Sequence, residues 1–101
     1  MMSVNKRLVN AQTDQLFAAL QTLKTTEEYY EFFEDLCTIN EIHDMTQRLE
    51  VAKMLRNGEK YDRIEEVTGA STATISRVKR CLQYGADGYE KVLERLDAKK
   101  N

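Results

Sequence analysis

The chain has 101 residues, with 15 lysines and arginines against 17 aspartates and glutamates, so its formal net charge is -2. It has no proline and only four glycines, and its apolar residues recur at helical spacing, which together predict a single all-α domain. No apolar run approaches the roughly 18 residues that a membrane span requires, and the two cysteines lack a CxxC partner, so we expect a cytoplasmic protein with free thiols.

The first part of the sequence predicts two helices after a flexible arm. Residues 1–12 are expected to form the arm, and residues 13–98 are expected to form one helical domain. A first helix is predicted over residues 13–24, with Leu16, Phe17, Leu20 and Leu23 on one side. Because the segment Thr25-Thr-Glu-Glu28 has the pattern of a capping box, a second helix is expected to begin there.

Aromatic residues are concentrated in these two helices. Five of them lie between residues 17 and 33: Phe17, Tyr29, Tyr30, Phe32 and Phe33. One explanation is that they cover the third helix within the same chain. We favour the core of a homodimer, because an exposed aromatic area of that size is a liability for a monomer.

The third and last helices are also predicted from local signals. Thr38-Ile-Asn-Glu41 is a second capping box, which is expected to open a long helix that ends at Gly58. The apolar positions of that helix are Ile42, Met45, Leu49, Ala52 and Leu55. The last helix is expected to begin in the segment from Asp87 to Glu90, with Tyr89, Val92, Leu93 and Leu96 as its apolar positions. With two short helices between them, the chain has about six helices.

The segment from residue 61 to residue 84 has the pattern of a helix-turn-helix. Ile64 and Val67 give a short first helix an apolar face, and Gly69 supplies the residue able to adopt positive φ at its end. Ser71 is a natural N-cap for the second helix. In that helix Ile75, Val78 and Leu82 recur at the spacing that packs them back against the first.

The opposite face of the second helix is suited to DNA. A rotation of about 100° per residue places Ala73, Ser76, Arg77 and Arg80 together on the outside. Small and hydroxylic residues let a backbone approach base edges, and arginines reach guanine or phosphate. Between residues 67 and 86 there are three basic residues and no acidic one, so positive charge is local to this helix. The predicted DNA-binding residues are Ser71, Thr72, Ala73, Thr74, Ser76, Arg77, Lys79 and Arg80.

The run Thr68-Gly-Ala-Ser-Thr-Ala-Thr-Ile-Ser-Arg77 resembles the Gly-Ala-x-x-Ala-Thr-Ile-(Ser or Thr)-Arg core of the Trp repressor family. The continuation to Tyr84-Gly85 is similar to the YerC/YecD-like branch of that superfamily. The resemblance implies an all-helical, intertwined homodimer that binds double-stranded DNA. It also implies that Arg48 and Arg77 correspond to the two arginines that hold the tryptophan ring in the repressor.

Two residues depart from the tryptophan site that the resemblance implies. A small glycine of the repressor is replaced by Val78, and a serine that helps to line the site is replaced by Cys81. Because the helical pattern turns Val78 inward, its side chain would fill space that an indole ring needs. No cofactor is therefore predicted, and tryptophan or a similar co-ligand at Arg48 and Arg77 is the alternative.

The sequence contains few residues that could form the active site of an enzyme. His43 is the only histidine, and no spacing of histidine and cysteine residues suggests a metal site. We therefore predict a sequence-specific DNA-binding transcriptional regulator of the repressor type, which recognises a palindromic site with the helix over residues 72–84. The alternative is a helical protein-interaction or adaptor module that keeps the helix-turn-helix shape without strong DNA binding. Asp62, Glu65 and Glu66 beside the recognition helix favour this alternative.

Overall fold

The structure, a computed structural model, describes residues 4–100. After a single 3-10 turn at Lys6–Leu8 come six α-helices, and the described residues contain no strand. The helices are α1 (Ala11–Gln21), α2 (Thr26–Leu36), α3 (Ile39–Arg56), α4 (Tyr61–Thr68), α5 (Thr72–Tyr84) and α6 (Gly88–Lys100). The predicted all-α class is confirmed. None of these helices is long and apolar enough to cross a bilayer.

Contacts between residues divide the described chain into two units, residues 4–43 and residues 44–100. The first unit contains α1, α2 and the start of α3, and the second contains the rest of α3 with α4, α5 and α6. The flexible arm over residues 1–12 and the single domain over residues 13–98 stay predictions, and residues 1–3 of the arm lie outside the described residues.

The starts of α1, α2 and α3 are explained by N-caps, and that of α2 is Thr25, whose hydroxyl accepts a hydrogen bond from the amide of Glu28 at 3.2 Å. Asn10 accepts a hydrogen bond from the amide of Thr13 at 2.8 Å, so α1 begins at Ala11, two residues before the predicted start. The predicted capping box at Thr38 and Glu41 is present in both directions. The amide of Thr38 donates to Glu41 at 2.8 Å, and the amide of Glu41 donates to the Thr38 hydroxyl at 3.1 Å. The hydrogen bond from the Thr38 amide, followed by a hydrogen bond between the Thr38 hydroxyl and the carboxylate, lowers the pKa of the Glu41 carboxyl below its ordinary value.

The end of α3 follows the prediction at Gly58. This glycine has a φ of 82°, in the left-handed region. Its amide donates to the carbonyl of Leu55, and the amide of Glu59 donates to the carbonyl of Met54, both at 3.0 Å. This pair of bonds is the arrangement that ends many helices at a glycine.

The buried core of residues 44–100 is one cluster shared by four helices and the turn between α4 and α5. Its members are Val51, Ala52, Met54, Ile64, Ala70, Ile75, Val78 and Leu93. The stripe predicted for α3 is only partly correct, because Met45 and Leu49 are each 37% exposed. Val51 and Met54, which that stripe left out, are buried because this part of α3 contributes to a cluster with three other helices rather than with one.

Candidate nucleic-acid interface

The turn between α4 and α5 is held by the residues at its start. Gly69 has a φ of 72°, and its amide donates to the carbonyl of Glu65 at 2.8 Å. The hydroxyl of Thr68 donates to the carbonyl of Ile64 at 2.7 Å and accepts from the amide of Ala70 at 3.1 Å. A single side chain therefore satisfies backbone groups on both sides of the turn, and the predicted helix-turn-helix is present.

The inner faces of α4 and α5 pack as the sequence predicts, with one exception. Ile64 and Ile75 are fully buried, and Val78 is 1% exposed. Val67 is 48% exposed, which contradicts its predicted place on the apolar face of α4. With only eight residues, α4 has room for a short inner face, and Tyr61, Ile64 and Thr68 occupy it.

The predicted DNA-binding residues divide into capping residues and solvent-facing residues. The amide of Thr74 donates to the Ser71 hydroxyl at 3.2 Å, and the two hydroxyls are 3.1 Å apart, so Ser71 and the half-buried Thr74 fix the start of α5. The others are all exposed: Thr72, Ala73, Ser76, Arg77, Lys79 and Arg80. Their contact with DNA stays a prediction.

The three basic residues of α5 differ in their surroundings. The ammonium nitrogen of Lys79 lies 5.7 Å from the centre of the Tyr61 ring, a distance at which a cation and an aromatic ring attract each other. Neither Arg77 nor Arg80 forms an ion pair with a residue of the described chain. Two guanidinium groups on the outer face of α5 are therefore available to an anionic partner.

The acidic residues of α4 are engaged in part with their neighbours. The hydroxyl of Thr72 donates to the Glu65 carboxylate at 2.5 Å. Glu66 lies 3.6 Å from the guanidinium of Arg63, one turn earlier on the same helix. Sequence reasoning missed the contact between Glu65 and Thr72. Its signal was the short turn, which brings the last turn of α4 close to the first residue of α5.

The predicted co-ligand residues lie on two different helices of the described chain. Arg48 is half-buried on α3, and Arg77 is exposed on α5. An apolar pocket of about 480 Å³ lies nearby in the same unit, but neither arginine lines it. Its lining is Leu49, Cys81, Gly85, Ala86, Gly88, Tyr89 and Val92. Val78 is a core residue, as the helical pattern predicts, so its side chain takes up interior space beside Arg77.

Comparison with known proteins identifies the family. The family model described as Trp repressor protein matches residues 11–97. This chain belongs to the Trp repressor family. Among the relatives of the chain within that family is the uncharacterised protein YerC of Bacillus subtilis, which is 61% identical over 90 residues that cover 89% of this chain and 86% of YerC.

Two solved structures of Trp repressor-like proteins have the same fold. A candidate Trp repressor from Staphylococcus aureus superposes with a TM-score of 0.88 at 54% identity, over 91% of this chain and 92% of that one. A TrpR-like protein from Eubacterium eligens superposes with a TM-score of 0.89 at 58% identity, over 92% of this chain and 96% of that one. The Trp repressor family is a family of regulators, and membership of it suggests a DNA-binding regulator.

Proposed function

We propose that this protein is a sequence-specific transcriptional regulator, of the repressor type, that binds a palindromic DNA site as a homodimer. The observation that carries the proposal is the outer face of α5. Small and hydroxylic side chains at the start of this helix are exposed, and Arg77 and Arg80, one and two turns further on, have no ion-pair partner within residues 4–100. A helix with these properties can enter the major groove by its N-terminal end.

The charge of the molecule supports binding that depends on sequence. The whole chain is acidic, with a net charge of -2, whereas α5 carries three basic residues and no acidic one. Few charge-neutralising phosphate contacts are then possible for the α5 helix of one subunit, because each such contact needs its own cation. Two subunits double the number of contacts, so the homodimer is a part of the proposal.

A homodimer is also favoured by the aromatic residues of the first unit. Phe17 is 54% exposed and Tyr30 is 76% exposed. Aromatic area of this kind is normally covered by another surface. A two-fold dimer would place two copies of α5 about 34 Å apart, one turn of DNA, and thereby select a palindrome.

The bacterial cytoplasm, where the chromosome lies, is the compartment that follows from this function.

We propose that binding needs no co-ligand. Val78 is buried, and a branched side chain next to Arg77 leaves less room for an aromatic ring than a glycine would. Tryptophan, held between Arg48 and Arg77, is the alternative, and it is tested in the same experiment.

A second candidate function is a protein-interaction module without strong DNA affinity. It is favoured by Asp62 and Glu66 on α4, which are exposed beside the recognition helix and would repel phosphates. The exposed arginines of α5 favour DNA.

Selection of bound duplexes from a random library, at two salt concentrations and with or without tryptophan, separates these proposals. We expect a palindrome to be enriched without tryptophan, with binding that weakens as salt rises. Enrichment that requires tryptophan would contradict the proposal that no co-ligand is needed. Failure to enrich any sequence under any condition would favour the interaction module.

Two substitutions test the roles of the cations on α5. Arg77→Ala should cost about 1–3 kcal/mol of binding free energy and relax the preference at one base pair, if its guanidinium contacts a base edge. Lys79→Ala should weaken binding to all sequences alike and reduce the slope of affinity against salt by about one ion. Lys91→Ala, an exposed cation on α6, is the control and should change neither property. Equal effects of the first two substitutions on base preference would contradict these assignments.

A further inference from the structure

The contact between Glu65 and Thr72 joins the two helices of the motif at the point where α5 begins. Thr72 is the first residue of α5 and is exposed, and Glu65 is half-buried in the last turn of α4. The Thr72 hydroxyl donates its hydrogen bond to the carboxylate, with 2.5 Å between the oxygens. Within residues 4–100, no cation forms an ion pair with this carboxylate.

This contact restricts what the Thr72 hydroxyl can offer to a partner. A hydroxyl group has one hydrogen to donate and two lone pairs that accept. Because the hydrogen is directed to Glu65, only accepting positions remain for a molecule that approaches the exposed side of Thr72. The neighbouring carboxylate oxygens are also acceptors only.

In the major groove this restriction separates the bases into two classes. Adenine and cytosine each present an amino group that donates, at N6 and N4, whereas thymine and guanine present the acceptors O4 and O6 at the equivalent place. We propose that Thr72 and Glu65 together form a specificity determinant that selects an amino-bearing base, adenine or cytosine, at one position of each half-site. This inference rests on the proposed function, since it concerns the same recognition helix.

The same pair acts against the keto-bearing bases. A guanine O6 or thymine O4 brought to this place would meet acceptors only, so it would lose its hydrogen bond with water without gaining another. The unpaired charge of Glu65 also repels phosphate oxygens. Thr72 and Glu65 are therefore suited to a base edge rather than to the DNA backbone.

Three substitutions and one control test the inference. Thr72→Val removes the hydroxyl and keeps the shape of the side chain, whereas Thr72→Ser keeps the hydroxyl. Glu65→Ala frees the hydroxyl of Thr72 to donate or accept. Glu66→Ala is the matched control, because it removes the same charge from the next residue of α4, whose side chain contacts Arg63 and not Thr72. Unfolding of each variant by heat shows whether it folds like the wild type.

The measurement is the base preference of each variant, obtained by selection from a random library and by binding to duplexes that differ at one position. The wild type should prefer adenine or cytosine over guanine or thymine about tenfold at one position of each half-site. Thr72→Val and Glu65→Ala should lose the preference at that position and keep the base preferences at all other positions. Thr72→Ser and Glu66→Ala should keep the preference at that position as well. Glu65→Ala and Glu66→Ala should both raise affinity for all sequences, because each removes a negative charge near DNA.

Two different failures can be told apart. If the wild type selects a site, but Thr72→Val and Glu65→Ala keep every base preference, or the preferred base is guanine or thymine, the inference is wrong and the proposed function stands. If the wild type selects no sequence, the proposed function is overturned, and the inference falls with it.

Discussion

Gly69 gives the turn between α4 and α5 its backbone shape. Its φ of 72° lies in the left-handed region, and a Cβ built there would meet no atom within 4 Å. The cost of Gly69→Ala therefore comes from the backbone rather than from a clash. We expect the free energy of unfolding to fall by about 1 kcal/mol, measured by urea denaturation.

Gly88 is the matched control for this substitution. It begins α6, a Cβ there would also meet no atom within 4 Å, and its φ is not in the left-handed region. Gly88→Ala should leave stability unchanged or raise it by about 0.5 kcal/mol, because alanine restricts the unfolded chain more than glycine does. Equal losses from the two substitutions would show that φ is not what makes Gly69 necessary.

Glu41 links the stability of α3 to pH. Its pKa is lowered in the folded protein, chiefly by the hydrogen bond from the backbone amide of Thr38 and then by the bond with the Thr38 hydroxyl. A lowered pKa means that the ionised carboxylate of Glu41 stabilises the folded protein. This contribution to the free energy of unfolding is fully present above the ordinary pKa of a glutamate. It is lost as the pH falls through the lower, folded-state value.

Glu41→Gln tests this linkage, because glutamine can still accept the capping bond and cannot titrate. As the pH is lowered from 7 into the acid range, the wild type should lose more unfolding free energy than Glu41→Gln does. The measurement is a series of urea denaturation curves for the two proteins at matched pH values. Identical pH dependence for both would contradict the role of the capping box.

Features that depend on a few adjacent residues could be predicted from the sequence. The capping box of Thr38 and Glu41, the glycine that ends α3 and the N-cap Ser71 each need only three or four residues of chain to form. The hydrogen bond between Thr72 and Glu65 joins residues seven positions apart on different helices. It depends on how α4 and α5 cross: the short turn indicates that the two helix ends are close, but not which of their side chains meet.

At the scale of elements, Arg56 at the end of α3 forms two ion pairs with α6. Its Nε lies 2.7 Å from Glu90 and one of its terminal nitrogens lies 2.7 Å from Asp97, so a single guanidinium pairs with the first and third turns of α6. These two hydrogen bonds raise the pKa of Arg56, which is charged at any ordinary pH. Arg56→Met keeps the length of the side chain and removes both pairs.

We expect α6 to open more often in Arg56→Met. Amide hydrogen exchange in α6 should become faster than in the wild type, with the amides of α5 changed little, because Leu93 still holds the middle of α6 in the core. High salt should reduce the difference by screening the wild-type pairs. Arg63→Met is the control, since its 3.6 Å pair with Glu66 is exposed and lies within one helix. Faster exchange of α6 in both variants would indicate a general loss of stability instead.

Predictions of buried faces were less accurate than predictions of helix ends. A prediction from apolar residues at helical spacing assumes that the helix packs against one neighbouring helix. This assumption holds for α5, where Ile75 and Val78 are buried as expected. It fails for α3, where Val51 and Met54 are buried as well, and for α4, where Val67 is not. The number of neighbours around a helix is a tertiary property, so the width of its buried face cannot be predicted from its own sequence.

At the scale of the whole molecule, the exposed apolar residues differ in what surrounds them. Tyr84 is 83% exposed at the end of α5, and within residues 4–100 it takes part in no contact between aromatic rings. Tyr30 is 76% exposed, and it lies on α2 among other aromatic residues, close in sequence to the edge-to-face pair of Phe32 and Phe33. We therefore expect the proposed dimer surface on the first unit to include Tyr30 rather than Tyr84.

This difference gives a test of the proposed homodimer. In sedimentation equilibrium the wild type should have twice the mass of one chain. The midpoint temperature of its thermal unfolding should rise with protein concentration, because only folded chains associate. Phe17→Ser together with Tyr30→Ser should shift the mass toward one chain at micromolar concentration, because the substitutions remove apolar area from the proposed surface. Tyr84→Ser removes a similar exposed ring from α5 and should leave the mass unchanged. A wild-type mass of one chain, with no dependence of unfolding on concentration, would contradict the dimer and with it the reason to expect a palindromic site.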